Sequence, residues 1–295
     1  MKELIKKLRN YEIRIRKAIN SHRHGNFRSV FKGSGLEFDD VRSYQYGDDV
    51  RSIDWKVTAK GHGTFVKTYK EEREQSIYFI LDVSASQEIG APNKQKIDVG
   101  REICGVLALS ALKESSQVGV IGFSDQLEMY LRSGKGHRHA AYLLKNLFEL
   151  KSKSKKTSIR RSIQTALKLI KKRSVVFLIS DFIDKDYEQP LKALIRKHDV
   201  VIIHLSDRRE TQLPKLGIIP VLDKESGKTL WVNTSSEAYQ KQYGQMYMQN
   251  SIALDQFCRS LQANYVDIDT EEDYVPKLIK LFKIRNKSKG KSVHA

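Results

Sequence analysis

Tyr78–Ser86 reads YFILDVSAS, and this stretch decides the fold into which the rest of the sequence must fit. Its four leading residues predict a buried strand, and Asp82, Ser84 and Ser86 follow at the carboxyl end of that strand. A second run, Val175–Asp181, reads VVFLISD and has the same form. Because open α/β sheets build their sites at the carboxyl ends of strands, the two aspartates are expected to lie at one edge of a sheet.

Strands and helices alternate around these two runs, which predicts an α/β fold with a mostly parallel sheet and helices on both faces. The predicted helices cover residues 94–113, 139–150, 159–172, 187–197, 235–262 and 271–284. Further strands are predicted at residues 118–123, 127–131, 200–205 and 265–268. A turn-rich stretch between residues 218–222 and 229–232 predicts a hairpin inserted at about residues 209–235.

The chain is therefore divided into a basic amphipathic helix (1–25), an N-terminal element packed on the sheet (26–75), the sheet domain (76–284) and a disordered basic tail (285–295). The first helix has two interpretations. It is either a solvated helix docked by its apolar face or a basic helix lying on an anionic membrane.

Composition restricts the class of protein. The 295 residues carry a formal net charge of +18, which predicts an acidic partner, an anionic surface or a need for solubility. The cysteines, Cys104 and Cys258, form no disulfide framework, so a reducing compartment is expected. The sequence contains neither a signal peptide nor an apolar run approaching the roughly 20 residues of a membrane span, and a cytoplasmic location is expected.

The residues after the two strands predict a site for a small hard cation. Asp82, Ser84, Ser86 and Asp181 offer carboxylate and hydroxyl oxygens, the ligands that Mg²⁺ or Mn²⁺ prefers. Thr157 stands just before a predicted helix and could add another hydroxyl. The alternative is that both aspartates only cap loops or helix N-termini.

These five residues resemble the metal-ion-dependent adhesion site of von Willebrand factor A domains. Other stretches resemble a bacterial family catalogued as a domain of unknown function, number fifty-eight, and the resemblance covers residues 26–284. The resembling stretches are Gly33–Phe38 (GSGLEF), Arg42–Tyr44 (RSY), Gly47–Ala59 (GDDVRSIDWKVTA), Asp207–Glu210 (DRRE), Leu213-Pro214 and Gly217.

The resemblance implies a von Willebrand A-like, Rossmann-like sheet with a family-specific N-terminal element. It also implies a non-enzymatic role as a partner of MoxR-type AAA+ ATPases, which mature or activate client proteins. A bound cation would offer its open position to an acidic side chain of a partner. The sequence departs from the family at two places: Lys155-Lys156 precede Thr157 where the family's loop is glycine-rich, and Gln87 stands where an apolar residue is common.

Two other functions compete with this interpretation. A phosphatase of the haloacid dehalogenase type needs a second carboxylate two residues after the first, where this chain has Ser84. Neither a phosphate-binding Gly-rich loop nor a Gly-x-Ser-x-Gly elbow is present in the sequence. Nucleic-acid or anionic-surface binding would use the basic helix, the run Lys151–Lys156 and two His-Arg-His triplets, but none of these is interleaved with aromatic residues in a recognisable reader motif.

The block Gly47–Trp55 (GDDVRSIDW) also has two interpretations. In the structural one, its aspartates pair with Arg42 and Arg51 while Trp55 fills the gap between this element and the sheet as a buried anchor. In the functional one, the same charged cluster belongs to a partner surface. The structural interpretation is favoured here.

Overall fold

The apolar run before Asp82 forms a strand in the middle of a mostly parallel sheet. The structure, a computed structural model, describes residues 2–20, 33–61, 63–73, 76–92, 94–211, 214–222, 227 and 229–291. Every residue of this strand after Ser76 is buried. A parallel strand buried on both faces carries apolar residues in succession rather than in alternation, as the sequence does here.

The described strands, in chain order, are β1 (Gly33–Ser43), β2 (Phe65–Arg73), β3 (Ser76–Asp82), β4 (Gly90–Ala91), β5 (Lys94–Gln95), β6 (Gln117–Phe123), β7 (Leu127–Gly134), β8 (Val175–Ser180), β9 (Asp199–Ser206), β10 (Ile218–Leu222), β11 (Thr229–Asn233) and β12 (Asn264–Asp269). The described α-helices are α1 (Lys2–Asn20), α2 (Trp55–Thr58), α3 (Lys96–Lys113), α4 (Gly136–Glu149), α5 (Ile159–Leu169), α6 (Glu188–Lys197), α7 (Arg208–Thr211), α8 (Glu237–Ser260) and α9 (Tyr274–Lys291). Short 3₁₀ turns cover Val50–Ser52 and Ala85–Glu88.

The described residues form a central sheet with the strand order β12-β9-β8-β3-β6-β7. All neighbouring pairs are parallel except β6 and β7, which form an antiparallel hairpin at one edge. If these six strands are renumbered 1 to 6 in chain order, the strand order is 6-5-4-1-2-3. Read from the opposite edge of the sheet it is 3-2-1-4-5-6, the doubly wound order of Rossmann-like folds. The predicted α/β fold is therefore confirmed.

Alternate residues of β3 serve two apolar cores on opposite faces of the sheet. Ile77, Phe79 and Leu81 join a core that includes residues of α1, α3, α4 and α9. Tyr78 and Ile80 face a second core that includes residues of α5, α6 and α8. The period of two along a strand places successive side chains on opposite faces, so one strand supports both layers of helices.

The N-terminal helix α1 packs its apolar stripe against α3 and α9. Leu8 and Ile15 are fully buried in the first core. Glu12 is buried between them and pairs with Lys113 at 2.5 Å and with Arg16 at 3.4 Å. The docked interpretation of this helix therefore accounts for its stripe of apolar residues.

The last helix extends beyond its predicted end. A disordered tail was predicted from residue 285, but α9 continues to Lys291, and residues 292–295 lie outside the described part of the chain. Arg285 explains the difference, because its buried guanidinium donates to both carboxylate oxygens of Asp199 at 3.1 and 2.7 Å. Neither α9 nor any other helix within the described residues is long and apolar enough to cross a membrane.

The chain divides into two compact units, and Lys32–Gln75 forms the smaller one. Its strands β1 and β2 form an antiparallel pair. The Gly-Asp-Asp block has local structural roles. Gly47 has a φ of +107°, which favours glycine, and Asp48 forms a two-bond ion pair with Arg42 at 2.8 and 2.7 Å. Asp49 and Asp54 cap the short helices that follow them.

Trp55 is not enclosed by its own unit, since its side chain is 66% exposed. Its predicted place between this element and the sheet stays a prediction. The capping by Asp54 fixes the turn that carries Trp55 without requiring its indole to be covered.

The predicted hairpin is present as β10 and β11, and it exposes apolar side chains. Pro220 lies opposite Trp231, and directly opposed residues of an antiparallel pair share a face of the ribbon. Ile218 and Leu222 lie on that same face, and Ile218 and Trp231 are 67% and 72% exposed. Exposed apolar groups of this kind are typical of surfaces that contact other proteins.

Gly119 of β6 should not tolerate a side chain. A Cβ atom there would lie 2.5 Å from the ring of Tyr78 and 2.9 Å from the carbonyl oxygen of Leu131. Gly119→Ala is therefore expected to lower the free energy of unfolding by about 1–3 kcal/mol, measured by urea denaturation. Gly105→Ala is the matched control, since its Cβ would meet only side-chain tips of Leu8 and Leu144, at 3.1 and 3.2 Å, and alanine favours the helix. Equal losses for the two variants would contradict the prediction.

Candidate functional site

The candidate site lies where the direction of chain connection reverses in the sheet. From β3 the chain passes to β6 on one side of it and later to β8 on the other. The loops after β3 and β8 therefore diverge and leave a crevice at their carboxyl ends, which is where open α/β sheets bind ligands. Asp82 ends β3, and Asp181 follows β8 directly, so both predicted aspartates lie at this crevice.

Hydrogen bonds orient the side chain of Asp82. Its Oδ1 accepts from the backbone N–H of Ser84 at 2.9 Å, and its Oδ2 accepts from the hydroxyl of Ser180 at 2.7 Å. Sequence reasoning did not identify Ser180, although it stands directly before Asp181. Each carboxylate oxygen can accept more than one hydrogen bond or ligand, so Asp82 retains capacity to bind a cation.

The two predicted serines lie beside the aspartates. The hydroxyl oxygens of Ser84 and Ser86 lie 3.1 Å apart, and Ser86 is near enough to Asp181 to help lower the pKa of its carboxyl group. Gln87, the departure from the family pattern, is fully buried and donates to Ser86 at 3.4 Å. Four of the five predicted site residues are therefore brought together, and a buried amide supports the loop that carries them.

Thr157, the fifth predicted residue, is half-buried in a loop at the same edge of the sheet. The carbonyl of Lys155 accepts from the backbone N–H of Ala85 at 3.1 Å, which ties this loop to the one that carries the serines. On the other side of Thr157, Ser158 caps α5. The role of Thr157 as a ligand stays a prediction.

The site contains two further charged residues that were not predicted. Lys96, the first residue of α3, is 0% exposed, and its ammonium group donates to Asp181 Oδ2 at 2.7 Å and to Glu210 Oε1. Glu210 belongs to α7 and lies in the Asp207–Glu210 stretch that carries part of the family resemblance. Its other oxygen accepts from the backbone N–H of Asp207 at 3.2 Å.

The charged residues of the site, Asp82, Asp181 and Lys96, shift one another's pKa values. Burial and the negative charge of Asp181 raise the pKa of Asp82 to about 7. Burial alone would raise the pKa of Asp181 too, but the charge and hydrogen bond of Lys96 hold it below its ordinary value. Burial opposes the charge on Lys96, yet the two carboxylates outweigh it and raise the pKa of the ammonium group. Lys96 therefore remains charged and compensates Asp181, whereas none of the ion pairs among the described residues includes Asp82.

A cavity of about 750 Å³ opens beside the site. Ser84 lines it together with the first turns of α3 and the loop that follows α4. Arg101, Phe148 and Lys155 are among its walls, so the cavity offers both apolar and charged contacts. A volume of this size can hold several side chains of a partner next to the aspartates.

The donor set fits a small hard cation. Two oxygens bound at right angles to Mg²⁺, each about 2.1 Å from the ion, are about 3.0 Å apart, close to the 3.1 Å between the hydroxyls of Ser84 and Ser86. Within the described residues, no three histidine, cysteine, aspartate or glutamate side chains form a cation-binding group. A cation here would thus depend on the serine hydroxyls as well as on Asp82.

Sequence comparison places the chain among uncharacterised proteins. A family described as "Protein of unknown function DUF58" matches residues 40–253. "Uncharacterized protein Rv1480" of Mycobacterium tuberculosis and "Uncharacterized protein Mb1516" of Mycobacterium bovis are each 26% identical over 227 residues, which cover 75% of this chain and 70% of the relative.

Solved structures with some similarity include the conserved hypothetical protein BatB from Bacteroides thetaiotaomicron and the SpRpn10 VWA domain. The BatB match has a TM-score of 0.47 at 13% identity and covers 72% of this chain and 99% of that chain. The SpRpn10 match has a TM-score of 0.36 at 13% identity and covers 70% of this chain and 94% of that chain.

Proposed function

This chain belongs to the family described as "Protein of unknown function DUF58", and from the geometry of its crevice we propose that it is a non-enzymatic protein-interaction module. In this proposal a divalent cation, Mg²⁺ or Mn²⁺, forms part of the contact. Asp82, Ser84 and Ser86 would hold the cation directly, and Asp181 and Thr157 would complete the shell directly or through water. The cation would supply an open coordination position for a carboxylate of the partner.

One observation carries the proposal. Asp82, Ser84, Ser86 and Asp181 come from two strand ends that lie 99 positions apart in the sequence, and the fold brings them together at the crevice, where Ser180, the neighbour of Asp181, donates to Asp82 at 2.7 Å. Capping of a loop would not by itself require the raised pKa of Asp82, a buried carboxyl group that forms no ion pair with any described residue. A cation at Asp82 would remove this imbalance.

The partner we propose is a MoxR-type AAA+ ATPase together with a client protein, as the family resemblance implies. The charge of the chain agrees with an acidic partner, since the formal net charge is +18. Exposed apolar groups on the β10–β11 hairpin are also of the kind that protein contacts bury. A cytoplasmic location belongs to the same proposal.

Enzymatic activity is not part of the proposal. Ser84 stands at the position where a phosphatase of the haloacid dehalogenase type needs its second carboxylate. Its hydroxyl lies 3.1 Å from that of Ser86, and neither group can act as an acid–base partner near neutral pH. These groups suit binding rather than proton transfer.

Binding of nucleic acid or an anionic membrane surface is the second candidate. It is favoured by Lys151, Lys153, Lys155 and Lys156, which are exposed in the loop beside the cavity. Phosphate binding by these residues would weaken steeply with rising salt and would not depend on a divalent cation. Competition between unrelated nucleic-acid sequences at fixed salt separates specific recognition from charge attraction.

A divalent cation is expected to raise the melting temperature of the wild-type chain. At a hundred times its dissociation constant, Mg²⁺ or Mn²⁺ should add about 2.7 kcal/mol to the free energy of unfolding. For a chain of this length that corresponds to a rise of about 4–5 °C. Thermal unfolding with and without the cation should show this rise in the wild type and not in Asp82→Asn.

Asp273→Asn is the control for that experiment, since Asp273 is half-exposed and forms its ion pair with the surface residue Arg14. It should keep the full rise. If neither the wild type nor the control responds to either cation, the cation part of the proposal is wrong. An Asp82→Ala chain that stays folded and keeps full affinity for its partner would exclude a cation-bridged contact.

A further inference from the structure

Lys96 is in an unusual position for a lysine. It is the first residue of α3, where a positive charge opposes the helix dipole, and its side chain is fully buried. Lysine is rarely buried to this extent unless it is paired. Here it is paired twice, to Asp181 of the candidate site at 2.7 Å and to Glu210 of α7.

Glu210 is itself held in place. Its Oε2 accepts from the backbone N–H of Asp207 at 3.2 Å, and Asp207 in turn accepts from the hydroxyl of Thr270. Asp207 also accepts from the backbone N–H of Arg209 at 2.9 Å. The Asp207–Glu210 stretch therefore builds a rigid second carboxylate for Lys96, a role that the sequence alone did not assign to it.

We propose that the Lys96 ammonium group is the resident cation of Asp181 and competes with a divalent cation for that carboxylate. The inference deepens the proposed function, because it concerns the control of cation binding at the same site. When a divalent cation engages Asp181, Lys96 remains paired through Glu210. The site therefore binds its cation more weakly than its oxygen ligands alone would allow.

Charge balance supports this role. The carboxylates of Asp82, Asp181 and Glu210 and the ammonium group of Lys96 together carry two negative charges when all are ionised. One divalent cation neutralises that sum. The pair Lys96–Glu210 is neutral as a unit, so it leaves the net charge of the site unchanged while it occupies one oxygen of Asp181.

The double variant Lys96→Met/Glu210→Gln tests the proposal, because it removes the competitor without changing net charge. Removing a charge-assisted hydrogen bond from Asp181 is expected to tighten Mn²⁺ binding by about 10- to 100-fold. Titration of Mn²⁺ followed by electron paramagnetic resonance measures the free ion directly, and circular dichroism verifies that each protein is folded.

Lys113→Met/Glu12→Gln is the matched control, since Lys113 and Glu12 form another ion pair with a buried carboxylate, between α1 and α3. It should bind Mn²⁺ as the wild type does. Tighter Mn²⁺ binding by the double variant at Lys96 and Glu210 supports the inference. If the variant binds Mn²⁺ and the wild type shows no detectable binding, the inference still holds, and only the proposed function of the native site fails. Equal or weaker binding by a folded double variant, including no binding by either protein, overturns the inference. If the wild type binds and the double variant is no tighter, the proposed function stands without it.

Discussion

Lys96→Met alone is expected to lower the free energy of unfolding by about 3–5 kcal/mol at neutral pH. The substitution leaves the carboxylates of Asp181 and Glu210 without their cation, and these side chains are only 1% and 4% exposed. A buried ion pair that loses one partner forces the other to stay charged in an apolar surrounding or to take up a proton. Urea denaturation at pH 7.5, followed by circular dichroism, measures the loss.

Two comparisons isolate the cause. Lys7→Met removes a lysine that is 45% exposed and pairs with Glu102, so it should cost no more than about 1 kcal/mol. Lys96→Met/Glu210→Gln should recover part of the loss, because only Asp181 then remains unpaired. The loss from Lys96→Met should also shrink at acidic pH, where the carboxyl groups can take up protons. A loss below about 1 kcal/mol at pH 7.5 would show that solvent reaches the cluster.

The second large effect concerns the dependence of stability on pH at Asp82. Its pKa is raised from 3.8 to about 7 in the folded chain. Between these two values the folded chain holds a proton that the unfolded chain has lost, so the free energy of unfolding must fall as pH rises through this window. The full pKa shift would lower the free energy of unfolding by about 4 kcal/mol, since each pKa unit corresponds to about 1.4 kcal/mol. The penalty is absent below the unfolded pKa and complete above pH 7.

Asp82→Asn keeps the shape of the side chain but cannot titrate. The difference in free energy of unfolding between wild type and variant, measured by urea denaturation from pH 4.5 to 8, should therefore decline steadily up to about pH 7 and then level off. Asp273→Asn, at a half-exposed surface position, should show no comparable decline. At pH 8, saturating Mg²⁺ should restore stability to the wild type and leave Asp82→Asn unchanged. A difference that stays constant across the range would mean that Asp82 is charged and compensated at every pH tested.

The sheet and most of the site residues were predictable because their signals are local. Continuous apolar runs identified β3 and β8, and the polar residues that end each run supplied Asp82, Ser84, Ser86 and Asp181. Parallel strands place their carboxyl ends at one edge, so the meeting of these residues followed from the fold class. Ser84 and Ser86 needed no further information, since they share a loop with Asp82.

Lys96 and Glu210 could not be predicted in the same way. They are 114 positions apart, and no periodic pattern in either segment indicates the other. Two weak signals existed: a lysine at the start of a predicted helix, where the dipole disfavours it, and an acidic residue in a stretch shared with the family. Neither signal specifies a partner without the packing of α3 and α7 over the end of the sheet.

The sequence also could not predict side-chain exposure or helix length where residue type or composition indicates the opposite. An aromatic residue such as Trp55 is usually buried, yet its cover depends on what packs over it, and nothing local to its turn decides that. Residues 285–291 have the composition of a disordered tail, but the ion pair of Arg285 with Asp199 anchors the helix into them.

By itself, the sequence determined the order of strands and helices, the two strand ends that carry the aspartates, and the hard-oxygen chemistry of the candidate site. These properties depend on residues a few positions apart, so each segment carries its own evidence. The tertiary structure alone decided that a lysine neutralises Asp181, that Glu210 holds this lysine, and that Asp82 has no ion pair within the described part of the chain. Such pairings join distant segments, and burial makes their charges interact strongly, because water no longer screens them.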